Sequence, residues 1–277
     1  MVNKVSKITG FTIVEVVLVL AITGLMLVGA LIAVRGSVDN QKYNDTIDSF
    51  YGFLQDQYNS LSNVEITSRT QAIPVNNACD FVLSRGRTDC VVLGKLLKFE
   101  SLEADGVDYS RVVVRDVIGS DLASKGATSD DDYFSRPQLK LSALTPTEKT
   151  YELEWMANAT YKPADSLTGA GSDFKNKKFY ILIIRSGLTN SIRTYIADIS
   201  YLSGTSDDRS VELSEIVAGN NWRNFLAFSP AFCINPAGIN FINKRAIVLK
   251  PNGANSSAIE IAPLNGEVNG VKAVKCD

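Results

Sequence analysis

From Phe11 the chain opens on an apolar run, FTIVEVVLVLAITGLMLVGALIAV, that ends at Val34. Val16 to Val34 are nineteen positions without a charge. As helix they span about 28 Å at ~1.5 Å per residue, close to a hydrocarbon core of ~30 Å. Beyond Arg35 and Gly36 the pattern changes. Tyr43, Ile47, Phe50, Leu54, Tyr58 and Leu61 recur at three- and four-residue steps, while Asp45, Asp48, Gln55, Asp56 and Asn59 fill other faces. That spacing predicts an amphipathic continuation of the same helix. Together the two parts would run from about Phe11 to about Ser62, roughly 78 Å, with the outer part packed on a globular domain.

After Ser62 the period shortens to strand-like runs set between Gly, Asn, Asp, Ser and Pro. Arg111 to Val117, Tyr151 to Trp155 and Lys178 to Arg185 read as strands. The last of these and Ser191 to Leu202 are separated by SGLTN, the pattern of a hairpin with an intervening loop. AIVL, AIEIAP and EVNGVKAV form a further meander, with Asn265-Gly266 as a tight turn. Polar stretches around Ser124 to Arg136 and Pro163 to Lys178 read as long loops. The expected fold is α+β, a long N-terminal helix packed on an antiparallel β-sheet head.

Composition narrows the chemistry. There are 277 residues, 45% hydrophobic and 21% charged, with a formal charge of −2. That balance supplies no broad field for a polyanion. No histidine is present, so the commonest general acid/base and transition-metal ligand are missing, along with the ordinary Ser-His-Asp and Cys-His sites. The reading is therefore of a protein that is not an enzyme and needs no cofactor. Asp130, Asp131 and Asp132, with Asp207 and Asp208, are oxygen donors of the kind Ca²⁺ takes, although EF-hand spacing is absent. Gly169 to Ser172 lacks the lysine and serine of a phosphate loop. Arg185, Arg193 and Arg209, with Lys175, Lys177 and Lys178, would form a basic strip for DNA if they shared a face. Asn44, Asn158 and Asn255 begin N-x-Ser/Thr triplets.

The four cysteines, Cys79, Cys90, Cys233 and Cys276, form no CxxC pair. Structural disulfides in an oxidising compartment are the better reading. Of the three pairings, Cys79–Cys90 with Cys233–Cys276 closes each loop within one part of the chain.

The leader MVNKVSKITG carries Lys4 and Lys7 and no acid, which places it on the cytoplasmic side and Arg35 onward outside. The apolar run is too long for a secretory signal of ~7–15 apolar residues. Neither an ordinary signal anchor nor a buried core helix explains Glu15. A carboxylate near lipid costs on the order of 2.5–3.5 kcal/mol even on lenient scales, so it marks a function and calls for a partner. Cleavage after Gly10 would create that partner, the α-amino group of Phe11, one helical turn away.

Basic leader, Gly10 before the scissile bond, Phe11 as new N-terminus and Glu15 as fifth mature residue together resemble the class III signal of the type IV pilin and pseudopilin family. The resemblance covers about thirty residues. It implies a leader at 1–10, a membrane and filament-core helix at 11–35, an amphipathic half at 36–62 and an extracytoplasmic β-rich head at 63–277. It also implies a prepilin peptidase that cuts after Gly10 and methylates Phe11. Glu15 would pair with the Phe11 amine of a neighbouring subunit, because an unpaired charge in a dry core is strongly unfavourable. Partners would be other pilin subunits, the peptidase, an assembly platform and the membrane, with DNA or a surface ligand at the head left open. The subunit would start in the cytoplasmic membrane and end in an extracellular pilus or a periplasmic pseudopilus. Gly24 and Gly29 lie where family members often carry helix-loosening residues, but the proline common there is missing. The stretch INPAGINFINKRAIVLKPNGANSSAIEIAPLNGEVNG has a looser likeness to the end of H-type minor pseudopilins and related minor pilins. Two roles stay open beside a minor pilin: a secretion or competence pseudopilin, and an unprocessed single-span surface binding protein.

Overall fold

A computed structural model describes residues 12–62, 72–75, 78–81, 90–104, 106–120, 126–130, 140–141, 149–162, 179–186, 188–189, 191–198, 223–224, 231–237, 245–249 and 259–263. The chain divides into two units, Met1–Asn44 and Asp45–Asp277. One helix, α1 (Ile13–Ser62), runs without a break through the positions at which the sequence pattern turns from uniformly apolar to amphipathic. It contains no proline, and its glycines at 24, 29, 36 and 52 cause no interruption.

Between Ile13 and Val38 the large apolar side chains of α1 point outward all round. Exposure runs from 83% at Ile13 through 75% at Leu25 to 42% at Val38. A helix that is apolar on every side belongs inside something other than water. Its stretch near the N-terminus is long and apolar enough to cross a membrane. Thr23, the hydroxyl in the middle of this run, donates back to the carbonyls of Val19 and Leu20 at 2.8 and 3.1 Å, so its polar group is satisfied within the helix.

Among the described residues, the second unit holds the rest of α1 and thirteen strands. These are β1 (Ala72–Val75), β2 (Ala78–Phe81), β3 (Cys90–Ala104), β4 (Val107–Ser120), β5 (Lys140–Leu141), β6 (Lys149–Glu152), β7 (Asn158–Lys162), β8 (Phe179–Arg185), β9 (Ile192–Asp198), β10 (Arg223–Asn224), β11 (Ala231–Asn235), β12 (Arg245–Leu249) and β13 (Ile259–Pro263). They form a β1-β2 pair, a seven-stranded sheet ordered β10-β9-β8-β3-β4-β5 with β6 also on β4, and a four-stranded sheet ordered β13-β12-β11-β7. All pairings are antiparallel.

Register explains the core. Leu97 lies opposite Val114 and Ile181, and Phe99 opposite Val112 and Phe179, so these side chains share one face of the larger sheet. Each is almost fully buried. Phe99 stacks on Phe179 at 4.3 Å and on Phe232 of β11 at 5.9 Å, while Phe50 of α1 meets Phe99 edge-on at 6.2 Å. The helix stripe Ile47, Phe50, Leu54, Tyr58 and Leu61 is 0–4% exposed, as the spacing predicts. Strand β8, FYILIIR, is buried on both faces until Arg185, which its unbroken apolar run demands.

The α+β expectation therefore holds, and the hairpin of β8 and β9 falls on either side of SGLTN. Tyr151 to Trp155 is a strand only to Glu152. Trp155 and Met156 then take left-handed backbone, φ 55° and 49°, in a single 3-10 turn. The Asn265-Gly266 turn and EVNGVKAV lie outside the described residues.

Candidate membrane and assembly segment

The first described residue, Thr12, caps α1. Its hydroxyl accepts from the Glu15 N–H at 3.3 Å, and Glu15 Oε2 accepts from both the Thr12 N–H and the Thr12 hydroxyl at 3.2 Å. This is a capping box, in which Thr-x-x-Glu satisfies two helix N–H groups reciprocally. The carboxylate also sits at the positive end of the helix dipole. The sequence signal for Thr12 is T-I-V-E before an apolar run, the signature of such a box, and not the charge pattern that singles out Glu15. Gly10 and Phe11, the expected cut site, lie outside the described residues.

Gly24, Gly29 and Gly36 have open space where a Cβ would stand. The stretch around Glu15 is thus a bare apolar rod with one carboxylate, and that carboxylate is fastened to its own helix end.

At the other end of α1, Arg185 of β8 donates from Nη1 to the Leu61 carbonyl at 3.0 Å. The last turn of α1 has no basic residue of its own, so Arg185 supplies the donor and the positive charge that a helix C-terminus favours. Arg193 pairs with Ile184 in the β8–β9 register. It therefore lies on the opposite sheet face from Arg185, and the two do not form a basic strip. Arg209, Lys175, Lys177 and Lys178 lie outside the described residues.

Asp130 faces the β8–β9 loop. Its carboxylate accepts from the hydroxyls of Ser186, at 2.5 Å, Thr189, at 2.9 Å, and Ser191, at 2.7 Å, with Arg193 Nη2 at 3.8 Å. Burial alone would raise its pKa, but these three hydrogen bonds and the Arg193 charge outweigh it and hold the carboxyl below its usual range. Asp130 thus spends its oxygens on fastening a loop. Asp131, Asp132, Asp207 and Asp208 lie outside the described residues. Among the described residues no three His, Cys, Asp or Glu side chains gather as metal ligands would.

Cys233, on β11, is buried and disulfide-bonded. Cys276 lies outside the described residues, and Cys79 and Cys90 are described only as backbone in β2 and β3. Asn158 accepts from the Ser110 hydroxyl at 2.8 Å inside β7, so its amide already serves the fold.

Comparison with family models, with curated proteins and with solved structures finds no match.

Proposed function

We propose that this chain is a type IV pilin-like structural subunit and not an enzyme. In this reading it is cut between Gly10 and Phe11, methylated on Phe11, and assembled through α1 into a pilus or pseudopilus in the manner of a minor pilin. The observation that carries the reading is the outward-facing apolar half of α1 with Glu15 in its first turn. Water is a poor solvent for such a surface, whereas lipid, and later the helices of other subunits, are good ones. Cleavage after Gly10 adds a cation beside the one carboxylate of the segment, so processing and assembly share one electrostatic requirement. Head and anchor then have separate tasks: the β-rich part is displayed and α1 holds it.

Mass spectrometry of the N-terminus of native protein tests this. The expected end is Phe11 carrying one methyl group. An intact Met1 overturns the reading and leaves an unprocessed single-span surface binding protein; an end anywhere other than Phe11 overturns it as well. Glu15→Ala supplies a second check. Loss of the charge makes the segment more apolar, so membrane insertion should persist while incorporation into filaments falls. Normal incorporation would refute the pairing role.

A further inference from the structure

We propose that the loop between β8 and β9 is a binding site for a single carboxylate group, and that the chain's own Asp130 is the occupant that keeps other carboxylates out. Asp130 is no sequence neighbour of the loop; it meets Ser186 and Ser191 across 56 and 61 positions. It is held as a ligand would be. Oδ1 accepts from the Ser186 hydroxyl at 2.5 Å and from that of Thr189 at 2.9 Å, while Oδ2 accepts from Ser191 at 2.7 Å and from Thr189 at 2.9 Å. Arg193 Nη2 adds a positive charge 3.8 Å from Oδ2.

The loop organises these donors without help from Asp130. The Ser186 N–H donates to the Ser191 carbonyl at 2.8 Å and closes the hairpin. Ser186 Oγ accepts from the N–H groups of Leu188 and Thr189, at 3.1 and 3.3 Å, and Thr189 Oγ1 accepts from the Ser191 N–H at 3.2 Å. A hydroxyl has one hydrogen and two acceptor positions. Backbone N–H groups fill both acceptor positions of Ser186, so its hydrogen is left for the carboxylate. The hydrogen of Thr189 is shared between Asp130 and Ser191 Oγ, which lies 2.8 Å away, and that of Ser191 goes to Asp130 Oδ2. Removal of the Asp130 carboxyl would therefore leave a preformed set of donors.

The chemistry selects a carboxylate. Three hydroxyls and one guanidinium converge on two oxygens that carry one negative charge. Phosphate or sulfate would bring further oxygens that these donors leave unpaired, which is costly where Ser186 is fully buried and the Asp130 and Arg193 side chains are only 14% and 16% exposed. Thr189 is exposed, so the cluster meets solvent on that side. Asp131 and Asp132 follow in the sequence, and their charge opposes an incoming anion. The test is therefore made at about 1 M salt, where the Debye length is ~3 Å and the more buried Arg193 pair is screened less. This site lies within the second unit, so its test is separate from that of the N-terminal cut.

The experiment follows thermal unfolding of the full chain in uncharged detergent micelles by near-UV circular dichroism, with formate or acetate replacing chloride at constant ionic strength. Asp130→Ala keeps the Cβ and leaves room for formate; Asp130→Gly leaves room for acetate, whose methyl group takes the place of the Cβ. Formate should raise the midpoint of Asp130→Ala saturably by about 2–4 °C, by mass action on the folded state. Acetate should do less in Asp130→Ala and at least as much as formate in Asp130→Gly. Wild type and Asp130→Asn, in which the site is filled, should not respond. Adding Ser186→Ala and Ser191→Ala to Asp130→Ala should abolish the response. Should Asp130→Ala fail to fold in chloride, recovery of its near-UV signal in formate supports the site and continued failure overturns it. The proposal is also overturned by an equal response in wild type, by no response in either Asp130 truncation, or by a response that survives loss of the two serine hydroxyls.

Discussion

One helix lives in two different environments. Between Ile13 and Val38 its large apolar side chains are 42–83% exposed, whereas between Ile47 and Leu61 the stripe is 0–4% exposed. The difference is one of arrangement more than of residue type, because leucines and isoleucines occur in both parts. In the second region they keep to one stripe and polar residues occupy the rest, so a sheet can cover the stripe and water the remainder. In the first region they leave no polar side, and the stretch is long and apolar enough to cross a membrane. The packing of the second unit and the uniform apolarity of the first stretch are therefore separable in their sequence requirements.

The sharpest test of that separation is a pair of core-sized truncations. Phe50 is fully buried between Phe99 and Tyr151, so Phe50→Ala should cost the head about 3–5 kcal/mol. Leu25→Ala, at a side chain 75% exposed, should move head unfolding by no more than ~0.5 kcal/mol. Urea unfolding of the full chain in micelles, followed by near-UV circular dichroism, reads both. Similar losses from the two would break the comparison.

Glycines give the next contrast. A Cβ at Gly94 would run into the carbonyl oxygen of Ile183, on the neighbouring strand β8. Gly94 also borders the irregularity at Val92 in the β3–β4 register. Gly94→Ala should therefore force the strands apart and cost about 1–3 kcal/mol. Gly52→Ala places a methyl group in open space on a helix and should add about 0.5–1 kcal/mol through helix propensity. Opposite signs in one urea assay are the expected outcome. A neutral Gly94→Ala would mean that the strands have more slack than their register implies.

These same places show what could be read in advance and why. Helix α1 was legible because a nineteen-residue uncharged run and a clean three-and-four stripe are long-range patterns that no tertiary contact has to complete. Strands β4, β8, β9, β12 and β13 announced themselves by β-branched runs. Strand β3 did not, although it is the longest. Its bulge at Gly94 breaks the alternation, and LGKLLKFESLEA spaces its leucines as a helix also would. Only pairing with β4 and β8 decides the matter. β7 and β11 are five residues each, and β7 was met only as an N-x-Thr triplet. Near the start of α1, Glu15 stands out as a charge in an apolar run, while its cap on Thr12 needs the two residues to be read as one motif. The Asp130 cluster joins residues 56 to 61 positions apart, a separation that no local pattern carries.

A third effect isolates the polar part of the head interior. The Tyr58 hydroxyl is buried and bonded to Thr194 Oγ1 at 2.7 Å, and burial pushes its pKa well above the usual value while the Thr194 bond opposes the shift. Tyr58→Phe leaves Thr194 without that partner and should cost about 1–2 kcal/mol at neutral pH. The pH dependence has a definite sign. Below pH ~10 the phenol is protonated in both states and contributes no slope. Above it the unfolded state releases the proton and the folded state holds it, so stability falls as pH rises. Tyr58→Phe should flatten that alkaline limb, and unfolding midpoints measured across pH 8 to 12, a range about the ordinary phenol value, test it. A limb left unchanged would assign the slope to other tyrosines, of which Tyr151 is also shifted upward by burial.

A smaller loss than that of Phe50→Ala is expected from Asp130→Asn, because asparagine keeps one of the two acceptor oxygens. Its value is in the direction of the pH response. The folded carboxyl has the lower pKa, so as acid is added the unfolded state takes up its proton first. The stabilisation is present above pH ~4, the ordinary carboxylate range, and is lost as pH falls through the folded value. In Asp130→Asn that acid slope should shrink, while the alkaline slope assigned to Tyr58 stays. Glu100 contributes in the same sense: burial would raise its pKa, but hydrogen bonds from Arg111 and Lys98 and their charges lower it. Some acid slope should therefore survive. Its complete persistence in the Asp130 variant would show that the hydroxyls of Ser186, Thr189 and Ser191 hold the loop without help from the charge. The β8–β9 hairpin would then owe its closure to neutral hydrogen bonds, including the backbone bond from Ser186 to Ser191 at 2.8 Å, and the acid sensitivity of the head would rest on the ion pairs of β3 and β4.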